Sequence, residues 1–562
     1  MVGETLWFAI NSKQFTNRKP WERNKNKAAG AGNMNFIALE SEQKLRGGYY
    51  TPDDLAQFLT RWVAPTSGKR VLEPSCGDGA FFPSLLGTDA TVTAFEVAPE
   101  EAAKAAARGI PDCTVHNQEF LSWALQAKPC QFDAVIGNPP FIRYQYLPAD
   151  FQANAERVFD RLGCKFTKHT NAWVPFILAS MELLRPGGRL AMVVPSEIVH
   201  VMHAQSLRTY LGQQCRRIVI VDPQEIWFEG TLQGAVLLMA EKKTTPNVHG
   251  EGLGIHRVSG RGFLNEDPEA VFNKPQAING KTVQGKWTRA LVPAATLAIL
   301  DAVEADSRFC RFSDAAKVDV GIVTGANKFF LVTDEVVKQN GLEKWAHPMF
   351  GRSDHCPGVI YDDAQHARNA ATGKPTNFLW LDRSVEESAK GRAYIASGES
   401  EDLHKRYKCR IRSPWYTVPS VHATEVGMLK RSHDTPRLIL NRAGAYTTDT
   451  AYRIRALRGT ADALVYGFYN ALTALSAELE GRHYGGGVLE LVPSEIEKLL
   501  LPAPEAVLPD VERLDRMVRQ DAVADTLEVQ SEAVLGALTK AEQMDLLAAW
   551  ATLRDRRHRL PA

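Results

Sequence analysis

KRVLEPSCGDGAF, residues 69–81, decides the fold. A short apolar run, Val71 and Leu72, stops at Glu73-Pro74 and turns through Gly77 and Gly79. Glycines at such a turn accept left-handed backbone and let a ligand approach the main chain closely. Further apolar runs come after it: TVTAFEV (91–97), FDAVIGNPPF (132–141), GRLAMVVPS (188–196), RRIVIVDP (216–223) and AVLLMAEK (235–242). Between them lie helix-like segments, PEEAAKAAARG (99–109) and AWVPFILASMELLRPGG (172–188). The second is expected to stop at Pro186-Gly187-Gly188. Buried apolar strands alternating with helices predict an α/β domain with a doubly wound, Rossmann-like sheet. In such sheets ligands bind beyond the carboxyl ends of the strands.

The chemistry of the first turn narrows the ligand. A pyrophosphate loop needs G-x-G-x-x-G or G-x-x-x-x-G-K-[ST], and neither stands here. Glu73 would repel a phosphate. Glu96, at the end of the second run, is placed to accept hydrogen bonds from ribose hydroxyls. Two carboxylates flanking a glycine turn suit a ligand with a cationic or neutral head and a ribose, which describes S-adenosylmethionine.

The FDAVIG run leads straight into Asn138-Pro139-Pro140-Phe141. Two prolines after a strand hold an extended, rigid turn. The Asn138 amide oxygen and the Pro139 carbonyl can both accept hydrogen bonds from an exocyclic amino group. Accepting those protons turns the nitrogen lone pair toward a methyl donor. Phe141 offers a face on which a base can stack, an effect of about 1–3 kcal/mol.

Taken together, Glu73-Pro74, Gly77-Asp78-Gly79, Glu96 and Asn138-Pro139-Pro140-Phe141 resemble the motifs of DNA adenine-N6 methyltransferases. Gly48-Tyr49-Tyr50-Thr51-Pro52 is similar to the motif that caps the cofactor's methionine. The order of cofactor motifs, catalytic tetrad and C-terminal recognition domain resembles the gamma class, the Taq type of restriction–modification enzymes. The resemblance covers roughly residues 45–505. It implies that Thr51 contacts the cofactor carboxylate and that Glu73, Pro74, Cys76, Gly77 and Gly79 line the turn. It implies further that Glu96 binds the ribose and that Val97 also meets the cofactor. Glu119 with Phe120 would meet the adenine moiety, although the family usually has Asp where Glu119 stands. Pro140 would pack near the cofactor methyl group. Phe228, in IWFEGTLQGAVLLM, matches an aromatic that stacks on the far face of a flipped adenine. Flipping is needed because the adenine amino group is paired inside a duplex. The expected reaction is direct transfer, with no metal and no covalent enzyme intermediate.

Pro129-Cys130-Gln131 imitates the nucleophile motif of cytosine-C5 methyltransferases. Here the cysteine precedes its strand, at the wrong edge of the sheet for catalysis. N-P-P-F also resembles the tetrad of rRNA guanine-N2 enzymes, which makes RNA methylation the nearest alternative. Protein-glutamine methyltransferases share the tetrad in shorter chains, and cytosine-N4 enzymes usually place Ser at position 138. A non-catalytic DNA-binding subunit would have no need of Asn138.

The second half carries patterns similar to the family's recognition domain: VGIVTGANKFFLV (320–332), FGRSD (350–354), LILNRAGAYTTDTAYRI (438–454) and HYGGGVLELVPSEIEKLLLPAP (483–504). Lys405, Arg406, Lys408, Arg410 and Arg412 alternate with Tyr407, Trp415 and Tyr416, and Lys430, Arg431, Arg437 and Arg442 lie further on. Arg352, Lys408, Arg410, Arg412 and Arg442 are the expected contacts to double-stranded DNA. The run Arg554, Arg556, Arg557 and Arg559 reads as a solvated helix end.

The domain reading is a flexible basic tail over 1–35, a catalytic domain over 36–245, an α+β target-recognition domain over 246–510 and a helical segment over 511–562. The 562 residues exceed what one core supports. Hydrophobic residues make up 44% and charged residues 23%, which excludes a mostly disordered chain. Lys plus Arg is 66 and Asp plus Glu is 65, so any nucleic acid must meet a local basic surface. None of the 8 cysteines forms a C-x-x-C pair, which speaks against zinc ribbons and fits a reducing compartment. No long apolar run suggests a membrane span, and the N-terminus makes a poor signal peptide. A cytoplasmic monomer is expected, with room for a separate cognate restriction endonuclease.

Overall fold

The computed structural model describes residues 51–558, apart from 65, 226, 228–233, 281, 282, 284, 420 and 485. Everything described belongs to one unit, Arg46–Ala562. Phe228, the Gly48–Tyr50 part of the capping motif, the basic tail and Arg559 lie outside the described residues.

Helix α1 (Asp53–Val63) leads into β1 (Arg70–Glu73). Next are β2 (Thr91–Phe95), α2 (Pro99–Ala107), β3 (Cys113–His116), α3 (Phe120–Ala124) and β4 (Phe132–Gly137). Then come α4 (Ala149–Arg161), α5 (Trp173–Leu183), β5 (Leu184–Pro195), β6 (Cys215–Pro223), β7 (Ala235–Lys242) and β8 (Gly252–Val258). The eight strands form one sheet in the order β3-β2-β1-β4-β5-β7-β6-β8. Strands β1 to β5 pair in parallel, and β7 runs antiparallel to both β5 and β6.

Local chemistry explains the elements. Helix α2 has Pro99 in its first turn, Glu100 and Glu101 against the positive helix end, and alanines at its core positions. Along β1, Val71 joins a core with Phe58 and Trp62 while Leu72 joins a second core with Trp173 and Ile177. That alternation is the two-faced burial of a doubly wound sheet. Helix α5 stops at Leu183, and the Pro186-Gly187-Gly188 stretch is already part of β5, with an irregular register against β4.

Two expected boundaries are corrected. The catalytic layer does not end at 245, because β8 pairs in parallel with β6, and Phe263, Val271 and Phe272 beyond it bury against the α1 side of the sheet. Gly- and Pro-rich flanks had hidden that edge strand. Residues 511–562 are likewise no separate segment. Helix α6 (Ala471–Glu480) shares one core with α7 (Val511–Val518), α8 (Val523–Val534) and α9 (Lys540–Arg557), through Leu472, Leu475, Leu514, Leu527, Leu546 and Trp550.

The terminal arginines hold this assembly together and are not a solvated end. The Arg556 guanidinium donates to both carboxylate oxygens of Asp222 in β6, at 2.7 and 2.9 Å. Arg557 donates to Glu478 of α6 at 2.6 and 3.2 Å, and both side chains are 0% exposed. Nearby, His200 of the catalytic half packs on His483, with ring centroids 4.6 Å apart.

The remaining strands build a five-stranded sheet around Ala316–Val320, Val426–Leu429 and Ala451–Ala456, and a four-stranded sheet around Ala346–Phe350 and Asn377–Leu379. This α+β half agrees with the expected class. Among the described residues no helix is long and apolar enough to cross a membrane.

Candidate active site at the carboxyl edge of the sheet

The strand order reverses between β1 and β4, and such a switch point opens a crevice beyond the strand ends. The turn after β1 and the loop after β4 both lie there. The Ser75 hydroxyl donates to the Asn138 backbone carbonyl at 3.1 Å, tying the glycine turn to the N-P-P-F loop.

The turn is tightly built. The Cys76 amide donates to the Phe95 carbonyl at 2.9 Å, and the Gly79 amide donates to the Cys76 carbonyl at 2.8 Å. Gly79 has φ +84°, and a Cβ there would lie 2.9 Å from the Phe82 ring. Glu96 reaches across from β2, accepting from the Gly77 amide at 3.0 Å and the Ala98 amide at 2.8 Å. Val97 beside it is 67% exposed, an apolar side chain presented to whatever fills the crevice.

Charge accumulates in this pocket. Burial, assisted by the Asp78 and Glu96 charges, pushes the Glu73 carboxyl well above its ordinary value, with Arg108 pulling the other way. Burial also raises Glu96, against the backbone amides that lower it. Thr51 Oγ1, Glu73 Oε2 and Asp78 Oδ1 are buried and have no hydrogen-bond partner among the described residues. Buried polar atoms are ordinarily satisfied, so this set fits a ligand that brings a cation and donors. S-adenosylmethionine, with its ammonium, sulfonium and ribose hydroxyls, meets that requirement.

Two side chains behave differently from expectation. Glu119 is the N-cap of α3, its carboxylate accepting from the Leu121 and Ser122 amides, both at 2.7 Å, and from the Asn154 amide group at 3.2 Å. The Phe120 ring is buried against Phe95, Trp123 and Phe176 and belongs to the core. Sequence reasoning passed over Ser75 and Asn117. Asn117 donates to the carbonyls of Glu96 and Val97, at 2.9 and 3.2 Å, and so shapes the loop after β2. A polar residue just past a strand was the available signal.

Downstream of the tetrad, the Ala172 amide donates to the Ile142 carbonyl at 2.8 Å and the Tyr144 amide to the Thr170 carbonyl at 3.1 Å. Phe141 is partly buried against the same core. Cys130 is exposed before the start of β4, while Asn138 stands just past its end. Six residues of strand separate the two edges by about 20 Å. Cys130→Ser should therefore leave methyl transfer unchanged in a labelled-methyl assay, and a dead variant would reinstate the cysteine as a nucleophile.

In the second half the TGAN, GRSD and YTTDT patterns converge. The Ile322 amide donates to the Thr447 carbonyl at 2.8 Å, and the Asn327 amide group to Asp449 at 3.1 Å. Met349 and Phe350 pair with Tyr446 and Thr447. Arg352 is exposed and bonds Asp354 at 3.0 Å. Lys408 and Arg410 are exposed on the short helix Tyr407–Arg410. One of the other two expected DNA contacts is corrected. Arg412 donates to the Thr324 and Val323 carbonyls at 2.8 and 2.6 Å, so it braces the TGAN loop. Arg442 is exposed and pairs with Glu512 at 2.7 Å and Asp462 at 3.6 Å.

Comparison with known proteins agrees with this division. Residues 35–94 match the N-6 DNA Methylase family, 99–227 the Eco57I restriction-modification methylase family, and 284–535 the C-terminal domain of Type II methyltransferase M.Eco57I. Type II methyltransferase M.AccI of Acinetobacter calcoaceticus is 23% identical over 484 residues, covering 82% of this chain and 86% of that protein. Type II methyltransferase M.XamI of Xanthomonas campestris pv. amaranthicola is 22% identical over 486 residues, covering 84% and 88%. The crystal structure of the type IIG restriction endonuclease BpuSI aligns over 92% of this chain and 67% of its own, with 13% identity and a TM-score of 0.40.

Fold, pocket and these matches define an S-adenosylmethionine-dependent DNA methyltransferase of the restriction–modification type. The glycine turn precedes the N-P-P-F loop, and the segment that matches the M.Eco57I C-terminal domain comes after both. The family models and relatives that the chain resembles are those of restriction–modification DNA methyltransferases, the N-6 DNA Methylase family among them.

Proposed function

We propose that the chain methylates the N6 amino group of an adenine flipped out of duplex DNA. The observation that carries this reading is the N-P-P-F loop at the end of β4, fastened by Ser75 to the glycine turn. S-adenosylmethionine, when bound, supplies an electrophilic methyl group. Glu73 and Glu96 hold its cationic and ribose parts, Thr51 its carboxylate end, and Val97 packs beside the adenine moiety. The Glu119 carboxylate, already engaged as a helix cap, acts at the rim of that pocket and sets where α3 begins. Asn138 Oδ1 and the Pro139 carbonyl accept the two amino protons, and Phe141 stacks on the extruded base, offsetting the few kcal/mol that flipping costs. Pro140 packs near the methyl group, and Phe228 is assigned the opposite face of the base. Arg352, Lys408 and Arg410 meet DNA phosphates. The chain works in the cytoplasm as a monomer, alongside a separate restriction endonuclease.

Mixed plasmid DNA incubated with S-adenosylmethionine and then mapped for modified bases tests the reading. Modified adenines at one recurring sequence are expected. Modification of RNA but not duplex DNA would overturn it.

Glu73 gives a second test. Its folded pKa is raised, so the folded state holds a proton that the unfolded chain gives up as pH rises through about 4.3. Stability is therefore lost as pH climbs from there toward the raised folded value, and above the unfolded range Glu73 opposes folding until a cation pairs with it. Glu73→Gln should raise the melting temperature of the cofactor-free protein at pH 7. The same change should weaken S-adenosylmethionine binding by about tenfold or more, the scale of one buried charge-assisted contact. Calorimetry showing wild-type cofactor affinity would remove Glu73 from the pocket.

A further inference from the structure

Tyr407 and Ile411 are each 63% exposed and stand one helical turn apart on and just after the helix Tyr407–Arg410. Lys408 Nζ lies 5.5 Å from the Tyr407 ring centroid and the Arg410 guanidinium carbon 5.4 Å. A large apolar pair facing water, with two cations laid against the aromatic ring, sets this surface apart from the other exposed aromatics among the described residues, Tyr146, Trp380 and Tyr484, which have no such cations over them.

The surface is firmly seated. Cys409, between the exposed residues, is buried with its Sγ toward the Thr324 carbonyl. Gly325 has φ +80°, and a Cβ there would sit 2.8 Å from Lys408 Cβ, so the TGAN loop backs the helix directly. Arg412 fastens the next turn to the Val323 and Thr324 carbonyls. A rigidly backed apolar projection can push into a partner without collapsing.

Charge selects the partner. Lys405 is paired with Asp402 at 2.8 Å. Among the described residues, no carboxylate lies within ion-pair distance of Arg406, Lys408 or Arg410. Unpaired cations around an apolar tip complement a polyanion whose interior is apolar. Duplex DNA is such a polyanion, with phosphates outside and stacked bases inside.

We propose that Tyr407 and Ile411 form a wedge that enters the minor groove and partly unstacks one base step, while Lys408 and Arg410 neutralise the flanking phosphates. This rests on the reading of the chain as a DNA methyltransferase and adds the residues that deform its substrate. Unstacking a step beside the target lowers the work needed to extrude a base.

The full chain is titrated into a labelled mixed-sequence duplex of about 40 base pairs between roughly 50 and 200 mM salt. It is also bound to relaxed plasmid with topoisomerase I, where unstacking appears as a topoisomer shift. Lys408→Gln with Arg410→Gln should flatten the log K against log salt slope by about 1.8, two phosphates at about 0.9 each. Tyr407→Ala with Ile411→Ala should weaken binding about tenfold at an unchanged slope and shrink the topoisomer shift. Tyr407→Phe should keep both. Melting temperature and cofactor binding serve as controls for folding. Wild-type affinity, slope and topoisomer shift in both double variants overturn the wedge while methylation by the wild type stands. So does loss of binding to an acidic protein with duplex binding intact, which would make the surface a protein-docking site. A wild type that neither binds nor methylates duplex DNA overturns the broader reading and the wedge with it.

Discussion

Asn138→Ala should bind S-adenosylmethionine within about twofold of wild type and lose about 10³-fold or more in kcat, the scale of one preorganised polar group acting on developing charge. An adenine amino group is a poor nucleophile because its lone pair is drawn into the ring. It becomes nucleophilic as its two protons are drawn toward acceptors, and the proposed mechanism assigns two in the loop after β4, the Asn138 side chain and the Pro139 carbonyl. The side chain can be removed without disturbing the trace, because the Asn138 backbone carbonyl is held by Ser75 and the two prolines stiffen the backbone beyond it. In the proposed reading cofactor binding rests on Glu73, Glu96 and the glycine turn, so it should survive. Calorimetric cofactor titration beside labelled-methyl transfer separates the two quantities. Turnover near wild type would show that proton acceptance at Asn138 does not drive the reaction. Asn138→Asp keeps an acceptor and should retain measurable activity.

Arg557→Met is expected to destabilise the folded chain by about 3–5 kcal/mol, the usual result of leaving a buried ion without its partner. Arg557 and Glu478 are both 0% exposed, and the guanidinium also donates to the carbonyls of His433, Asp434 and Gly487. Burial pushes the Glu478 carboxyl up, but Arg557 and His483 more than offset it and hold it below its ordinary value. A depressed carboxyl stabilises the fold above its unfolded value, about 4.3, and that stability is lost as pH falls through the folded value. The wild type should therefore show an acid-sensitive component that the variant lacks. Denaturant midpoints measured at pH 7 and at about pH 3 test both parts. Arg557→Met combined with Glu478→Leu should recover most of the loss, since an apolar pair of similar volume can replace a buried ion pair. Equal midpoints for wild type and Arg557→Met would mean that the pair carries no stability.

The catalytic layer was legible because each strand ending there is a run of apolar residues stopped by a residue with chemistry: Glu73, Glu96 or Asn138. Strand β3 went unseen, since Cys113–His116 is only four residues long and partly exposed. Strand β8 was hidden by its glycine-rich flanks. Charge was the poorest guide. Arg412, Arg556 and Arg557 look like surface arginines in one dimension, yet each is held by carbonyls or carboxylates at least 79 positions away in sequence. Arg352, Lys408 and Arg410 carry the same letters and remain exposed. Only the fold separates structural cations from those offered to solvent. Glu119 taught a related lesson, because an acidic residue just before a short helix caps that helix whatever else it meets.

The pairing of Arg556 with Asp222 spans 334 residues. During synthesis the catalytic sheet therefore emerges long before the arginine that closes its β6 edge. Until the last helix is made, Asp222 lacks the Arg556 guanidinium, and the two halves are joined through earlier contacts such as Thr288 with Leu479 and Lys286 with Glu480. Helix α9 is in this sense a late clasp on the β6 edge. A chain cut short of α9 loses that clasp and should melt at a lower temperature than the full chain.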